Sequence, residues 1–293
     1  MKIAISCEMD FMSNAQMRRS ICNQDYVDFV KLSGYKPYIV CEGMDVAAIA
    51  GDMDGLLLSG GKDLSPLLFG EDLEWNGARK CNLVRDLFER DLYNAFLAQE
   101  KPIFGICRGF QLIGVLSNTE LIQYFEQDVN KLKSVTQMHQ QGEVDIAGEN
   151  PVHIMECRGI LEKLCGKELP INSFHHQGFV LSNSTNDITN GWIHQCEEIF
   201  GWGRSRESAR ILEAFGIKVN GVKVAGVQYH PERMLRREKD RSKHIAFFQY
   251  TMGTLDCEPD PEPEPKAKTS IPRCTLTPFR TKQRDRFGKI IRR

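Results

Sequence analysis

No apolar run in this chain approaches the roughly 18–20 residues that a membrane-spanning helix needs. The opening stretch MKIAISCEMD meets an acid at Glu8, too early for the apolar region of a secretory signal, so a cytoplasmic protein is expected. There are ten cysteines but no C-x-x-C pair, which fits reduced thiols better than a disulfide framework or a zinc knuckle. Most of these cysteines are expected to behave as small buried hydrophobes. No phosphate-binding glycine loop and no set of metal ligands stands out, so neither a cofactor nor a metal is expected. Excess charge is also missing, with a formal net charge of −1, and the body shows no electrostatic footprint for nucleic acid.

That small net charge hides an asymmetry. Residues 257–293 hold ten Lys/Arg against five Asp/Glu. The stretch CEPDPEPEPKAKTS alternates proline with acid, which bars a helix and favours an extended, solvated linker. A basic segment, RCTLTPFRTKQRDRFGKIIRR, follows it. The division expected is a folded body over 1–253 and a disordered linker and tail over 254–293. The tail could alternatively dock on an acidic protein, a synthase, or RNA or DNA.

Within the body, β-rich runs alternate with amphipathic ones. KIAIS (2–6), PYIV (37–40), GLLLS (55–59) and PIFGIC (102–107) read as strands buried on both faces, and residues 14–33 and 82–99 as helices. In LVRDLFERDLYNAFL the apolar positions 83, 84, 87, 88, 92, 96 and 97 keep helical spacing. The alternation predicts an α/β fold with a largely parallel central sheet and helices on both faces. HIMEC, INSFHH, FVLSN, RILEAF and AGVQYH read as strands that continue the same sheet in mixed orientation.

Three stretches carry chemistry. In GICRG (105–109), Cys107 stands between glycines where a strand passes into the apolar helix FQLIGVL. A nucleophile on a strand-to-helix elbow needs small neighbours, and the helix N-terminus favours a thiolate. The same pattern also fits a buried structural thiol. In VAGVQYHPE (224–232), Pro231 keeps His230 extended. Residues two apart on an extended chain share a side, so Glu232 can orient one ring nitrogen and leave the other for Cys107. In LLLSGGKDLSPLLFGE, Gly60 and Gly61 follow a strand and could let backbone amides approach an oxyanion, or simply make a turn. The neighbours His175 and His176 point to opposite faces of an extended chain, which argues against joint metal binding. Arg85, Asp86 and Glu89 read as an ion-pair network on one helix.

Taken in order, SGGKDLSPLLFGE, RDLFE, GICRGFQ, INSFHHQG, ILEAF and VQYHPE resemble the class I glutamine amidotransferase superfamily. Within it the likeness is to the γ-glutamyl-γ-aminobutyrate hydrolase branch, over most of residues 1–250. The resemblance implies a flavodoxin-like fold, with Cys107 as nucleophile, His230 as base and Glu232 as its orienter. It places the amides of Gly61 and Arg108 in an oxyanion hole, and Gly60, Gln111, His175, His176 and Gln177 near the substrate. The chemistry implied is cleavage of a γ-glutamyl amide through a thioester. LSNTELIQYFEQD (116–128) departs from the usual glycine pair, which leaves the substrate open at Asn118 and Thr119. Three functions compete: a hydrolase of small γ-glutamyl compounds, a glutaminase subunit passing ammonia to a synthase, and a non-catalytic scaffold.

Overall fold

The computed structural model describes residues 1–12, 17–72, 81–123, 125, 150–181, 196–206 and 211–257. The linker and basic tail expected beyond 257 lie outside these residues, as does most of the departing loop after Gln123. The strands are β1 (Lys2–Ser6), β2 (Glu8–Met12), β3 (Met17–Ile21), β4 (Lys36–Val40), β5 (Gly55–Leu58), β6 (Ile103–Ile106), β7 (His153–Gly159), β8 (Glu168–Ile171), β9 (Glu198–Ser205), β10 (Leu212–Val219) and β11 (Val222–Val227). The helices are α1 (Gln24–Leu32), α2 (Val46–Asp52), α3 (Leu83–Ala98), α4 (Arg108–Leu116), α5 (Ile160–Cys165) and α6 (Glu238–Thr251). Short 3-10 turns lie at Pro66–Phe69 and Pro231–Met234.

Nine strands form one sheet in the order β4-β1-β5-β6-β11-β10-β9-β7-β8. From β4 to β11 every neighbouring pair is parallel, and from β11 to β8 every pair is antiparallel. Inside the edge strand β4, the parallel strands β1, β5, β6 and β11 are buried on both sides, as their continuous apolar runs require. On one face Ile3, Ile5, Leu57, Phe104 and Val227 meet Phe29 of α1 and Phe247 and Phe248 of α6. On the other, Ala4, Leu56, Leu58, Ile103 and Val224 meet Ile49 of α2, Phe96 of α3 and Phe110 of α4. Alternate residues of single strands thus feed opposite layers, giving the expected α/β fold. Among the described residues, no helix is long and apolar enough to cross a membrane.

Several expectations need correction. The helix expected over 14–33 begins only at Gln24, because Met17–Ile21 pairs with Glu8–Met12 as a two-stranded ribbon. Its sequence MRRSI is exposed and offers no apolar stripe to bury. PYIV is a strand but not a doubly buried one. β4 is an edge strand, and Tyr38 and Ile39 are 40% and 53% exposed. INSFHH leaves the sheet after Ile171, and the described part of FVLSN, 179–181, makes an isolated bridge between Val180 and Ile211. Nine cysteines are described, all as free thiols; four are buried, four are half-buried and Cys81 is exposed. The expectation that most are buried therefore does not hold.

Candidate functional site

Three adjacent parallel strands end at the same rim. Leu58 of β5 lies beside Gly105 of β6, and Ile106 beside Val227 of β11. Beyond these pairs come Gly60 and Gly61, Cys107, and His230. Loops past the carboxyl ends of parallel strands are where α/β sheets build sites.

Cys107 alone makes the turn between β6 and α4, with φ 51° and ψ −103°. Such a backbone costs a non-glycine residue about 1–3 kcal/mol and has to be held by its surroundings. Its amide donates to the Val227 carbonyl at 2.8 Å, and its carbonyl accepts from the Gln111 amide at 3.0 Å. The flanking glycines are required by close approach. A Cβ on Gly105 would strike the backbone of Gly109, and one on Gly109 would strike the carbonyl of Leu58.

His230 is fixed from three sides. Asn172 clasps its backbone, accepting from the His230 amide at 2.8 Å and donating to its carbonyl at 2.9 Å. Phe174 packs edge-on against the ring, with centroids 5.7 Å apart. The ring Nδ1 lies 2.7 Å from Glu232 Oε1. Burial works to lower the pKa of this imidazole, but the negative charge of Glu232, with charge and hydrogen bonding from Cys107, raises it to about 10. The ring thus holds its proton between a carboxylate and a sulfur.

Gly60 shows how tightly these ends converge. A Cβ there would lie 3.1 Å from His230 Cε1 and 3.5 Å from Cys107 Cβ. The Gly60 amide donates to the Tyr26 hydroxyl at 2.9 Å. Among the described residues the amides of Gly61 and Arg108 have no such acceptor. Gly61 has φ 144°, a conformation that favours glycine. A polar cavity of about 140 Å³ opens here, lined by Gly60, Gly61, His230, Tyr26, Glu8 and Arg233 among others. Cys107 lies just beneath this lining and is 7% exposed. Cys22 also lines the cavity, and burial raises its pKa, which keeps it a neutral thiol.

The other expected site residues turn inward. Gln111 donates from Nε2 to the Gln177 carbonyl and to Gln228 Oε1, both at 3.1 Å. His175 is buried, with Nδ1 2.9 Å from the Gln177 carbonyl and its ring edge-on to Phe125. Burial lowers its pKa to about 4. His176 turns to a different carboxylate, Asp63 Oδ2 at 3.1 Å, and Gln177 donates to the Gln123 carbonyl at 3.0 Å. None of Gln111, His175, His176 and Gln177 is among the residues that line this cavity.

Further residues shape the site without having been singled out in the sequence for that. Fully buried Gln228 donates from Nε2 to Cys107 Sγ at 3.6 Å. Its place two residues before His230 on an extended chain was the available signal. Arg85 and Glu89 do pair on α3 (2.9 Å), and the network reaches further. Arg85 Nη2 donates to the carbonyls of Ser59 (3.2 Å) and Gly60 (3.0 Å), while the Arg108 side chain pairs with Asp86 and Glu89. Burial opposes charge on Glu89, but Arg108 and Arg85 hold its carboxyl below the usual range. Four buried charges therefore tie α3 to both the glycine loop and the cysteine turn.

The Peptidase C26 family model matches residues 3–232. The chain belongs to the Peptidase C26 family. This family of hydrolases is glutamine amidotransferase-like, as the order of motifs implied. The Peptidase C26 chain is 27% identical over 239 residues to the Schizosaccharomyces pombe protein "Putative glutamine amidotransferase PB2B2.05", covering 78% of this chain and 80% of that one. It is 26% identical over 199 residues to the gamma-glutamyl-gamma-aminobutyrate hydrolase of Escherichia coli O157:H7, covering 67% and 70%. Protein NtpR of Enterococcus hirae is 32% identical over 158 residues, 53% of this chain and 63% of that one. Among solved structures, a "putative gmp synthase subunit a protein" of Thermoplasma acidophilum superposes with a TM-score of 0.50 at 13% identity, covering 86% of this chain and 92% of that one. That likeness concerns the fold.

Proposed function

We propose that this protein is a cysteine-nucleophile hydrolase of small γ-glutamyl amides, with Cys107, His230 and Glu232 acting as a triad. The observation that carries this reading is a single imidazole held between Glu232 and Cys107 at the rim of a polar cavity. The Cys107 sulfur attacks the γ-carbonyl carbon, forming a C–S bond and an oxyanion. The amides of Gly61 and Arg108, which have no protein acceptor among the described residues, receive that oxyanion. His230 passes its proton to the nitrogen as the C–N bond breaks, and the amine leaves. Water then attacks the thioester, His230 takes its proton, and the C–S bond breaks to return the sulfur and release a γ-carboxylate. Glu232 keeps the ring oriented and offsets its charge throughout. No step asks for a metal or an organic cofactor.

The choice of γ-glutamyl substrates is supported by the similarity to the gamma-glutamyl-gamma-aminobutyrate hydrolase and by the smallness of the cavity. Incubation with glutamine, γ-glutamyl-4-aminobutyrate and γ-glutamyl dipeptides, with acid-quench mass spectrometry, tests it. A γ-glutamyl adduct on Cys107, and none on Cys22, is expected with at least one substrate. Turnover of none, with no adduct, would overturn the reading. Turnover of glutamine alone would favour a glutaminase subunit feeding ammonia to a synthase.

A further inference from the structure

Two opposite charges share the small cavity without pairing with each other. Arg233 sits one residue beyond Glu232, on the 3-10 turn Pro231–Met234. Its guanidinium carbon lies 4.7 Å from the centre of the Phe174 ring, a cation–π contact. Phe174 is the same ring that stacks edge-on against His230, so one aromatic side chain positions both groups. Among the described residues, no carboxylate comes within ion-pair distance of Arg233. Asp25 feels its charge only from farther away. Glu8 lies across from the glycine loop, where a Cβ on Gly61 would come 3.3 Å from its Oε2, and it pairs with Lys62 at 3.4 Å.

A half-buried guanidinium in the wall of a cavity, with no acid among the described residues within ion-pair distance, is an unfinished site. Arginine is the side chain best shaped to receive a carboxylate through two parallel hydrogen bonds. We propose that Arg233 is a substrate-binding residue that receives a carboxylate of the substrate, with Glu8 making the cavity suited to amino-acid-like ligands. The proposal rests on the hydrolase reading above, and it deepens that reading by naming a specificity element. The carboxylate has two possible sources. One is the α-carboxylate of the γ-glutamyl group; the other is a carboxylate on the departing amine.

The test pairs two substrates that differ only in that second group: γ-glutamyl-4-aminobutyrate and γ-glutamyl-butylamide. Arg233→Gln should lower kcat/KM by about tenfold to a hundredfold, and Arg233→Lys should retain more than Arg233→Gln. An equal loss on both substrates assigns the α-carboxylate. A loss confined to the first assigns the amine's carboxylate. Rates within twofold of the parent on both substrates overturn the proposal. Binding separates its failure from that of the hydrolase reading. In the Cys107→Ala protein, calorimetric titration with L-glutamate and with 4-aminobutyrate should show at least one ligand bound, and bound about tenfold more weakly once Arg233→Gln is added. Arg233-dependent carboxylate binding, with the parent protein turning over none of the γ-glutamyl substrates, would sustain the subsite and sink the hydrolase. No binding of either ligand, or binding indifferent to Arg233, would sink the subsite. Thermal unfolding of each variant guards against reading a folding defect as lost recognition.

Discussion

His230 is where the proposed chemistry is most exposed to test. Replacing Cys107 with alanine should lower kcat by roughly 10⁴–10⁶-fold while leaving the far-ultraviolet spectrum unchanged. His230→Ala should cost nearly as much. Glu232→Ala should be less harmful by about one to two orders of magnitude, because a base without its orienter still holds a proton. Single-turnover rates decide this, and equal or reversed losses would contradict the assigned roles. With the imidazole pKa raised to about 10, the alkaline limb of kcat/KM should fall near that value, well above the ordinary histidine range near 6.5. Gln228→Leu removes the donor facing Cys107 Sγ and should slow iodoacetamide alkylation of Cys107 about tenfold. Cysteine, histidine and glutamate were legible in the sequence because each sits in a short pattern with its own local mechanics. Asn172, Gln228 and Arg233 were not. Their parts depend on partners 58 positions away for Asn172, 121 for Gln228, and on a ring in a separate loop for Arg233.

α3 shows what can be read at the level of an element and what cannot. Its apolar spacing announced a helix over 82–99, and the structure has one from Leu83 to Ala98. The sequence also hinted at pairing among Arg85, Asp86 and Glu89, but not that Arg108 would complete it from another helix. The misread elements fail for a related reason. β3 lacks the burial that writes a periodic signal, and the apolar run of edge strand β4 read as doubly buried although Tyr38 and Ile39 are exposed. Removing one member of the charge network strands the rest in a dry interior. Arg85→Met should therefore destabilise the fold by about 3–5 kcal/mol, and urea midpoints measure it. It should also loosen the Ser59–Gly60 carbonyls and depress turnover beyond the loss of stability. Any drift in these four positions would have to be concerted, since no single replacement leaves the remaining charges balanced.

For the molecule as a whole, buried histidines set opposite pH limits. Burial holds His175 and His244 at about 4, below the unfolded value of 6.5. Their contribution is complete above 6.5 and is lost as pH falls towards 4, where the unfolded chain takes up protons that the folded one refuses. His230 has the opposite sign: its contribution is complete below 6.5 and is lost as pH rises through about 10. Urea midpoints between pH 4 and 10 should therefore peak in the neutral range, and His244→Gln should flatten the acid side. Deleting residues 258–293 should leave steady-state rates within about twofold; a large loss of intrinsic rate would give the tail a part in the chemistry. β11 lies between β6 and β10, yet among the described strands it is the last made. A nascent chain leaving the ribosome carries Cys107 for more than a hundred residues before its proton donor exists. A product that stops short of Val222 has a hole in the middle of its sheet, not a frayed border, so termination there should yield no half-active enzyme.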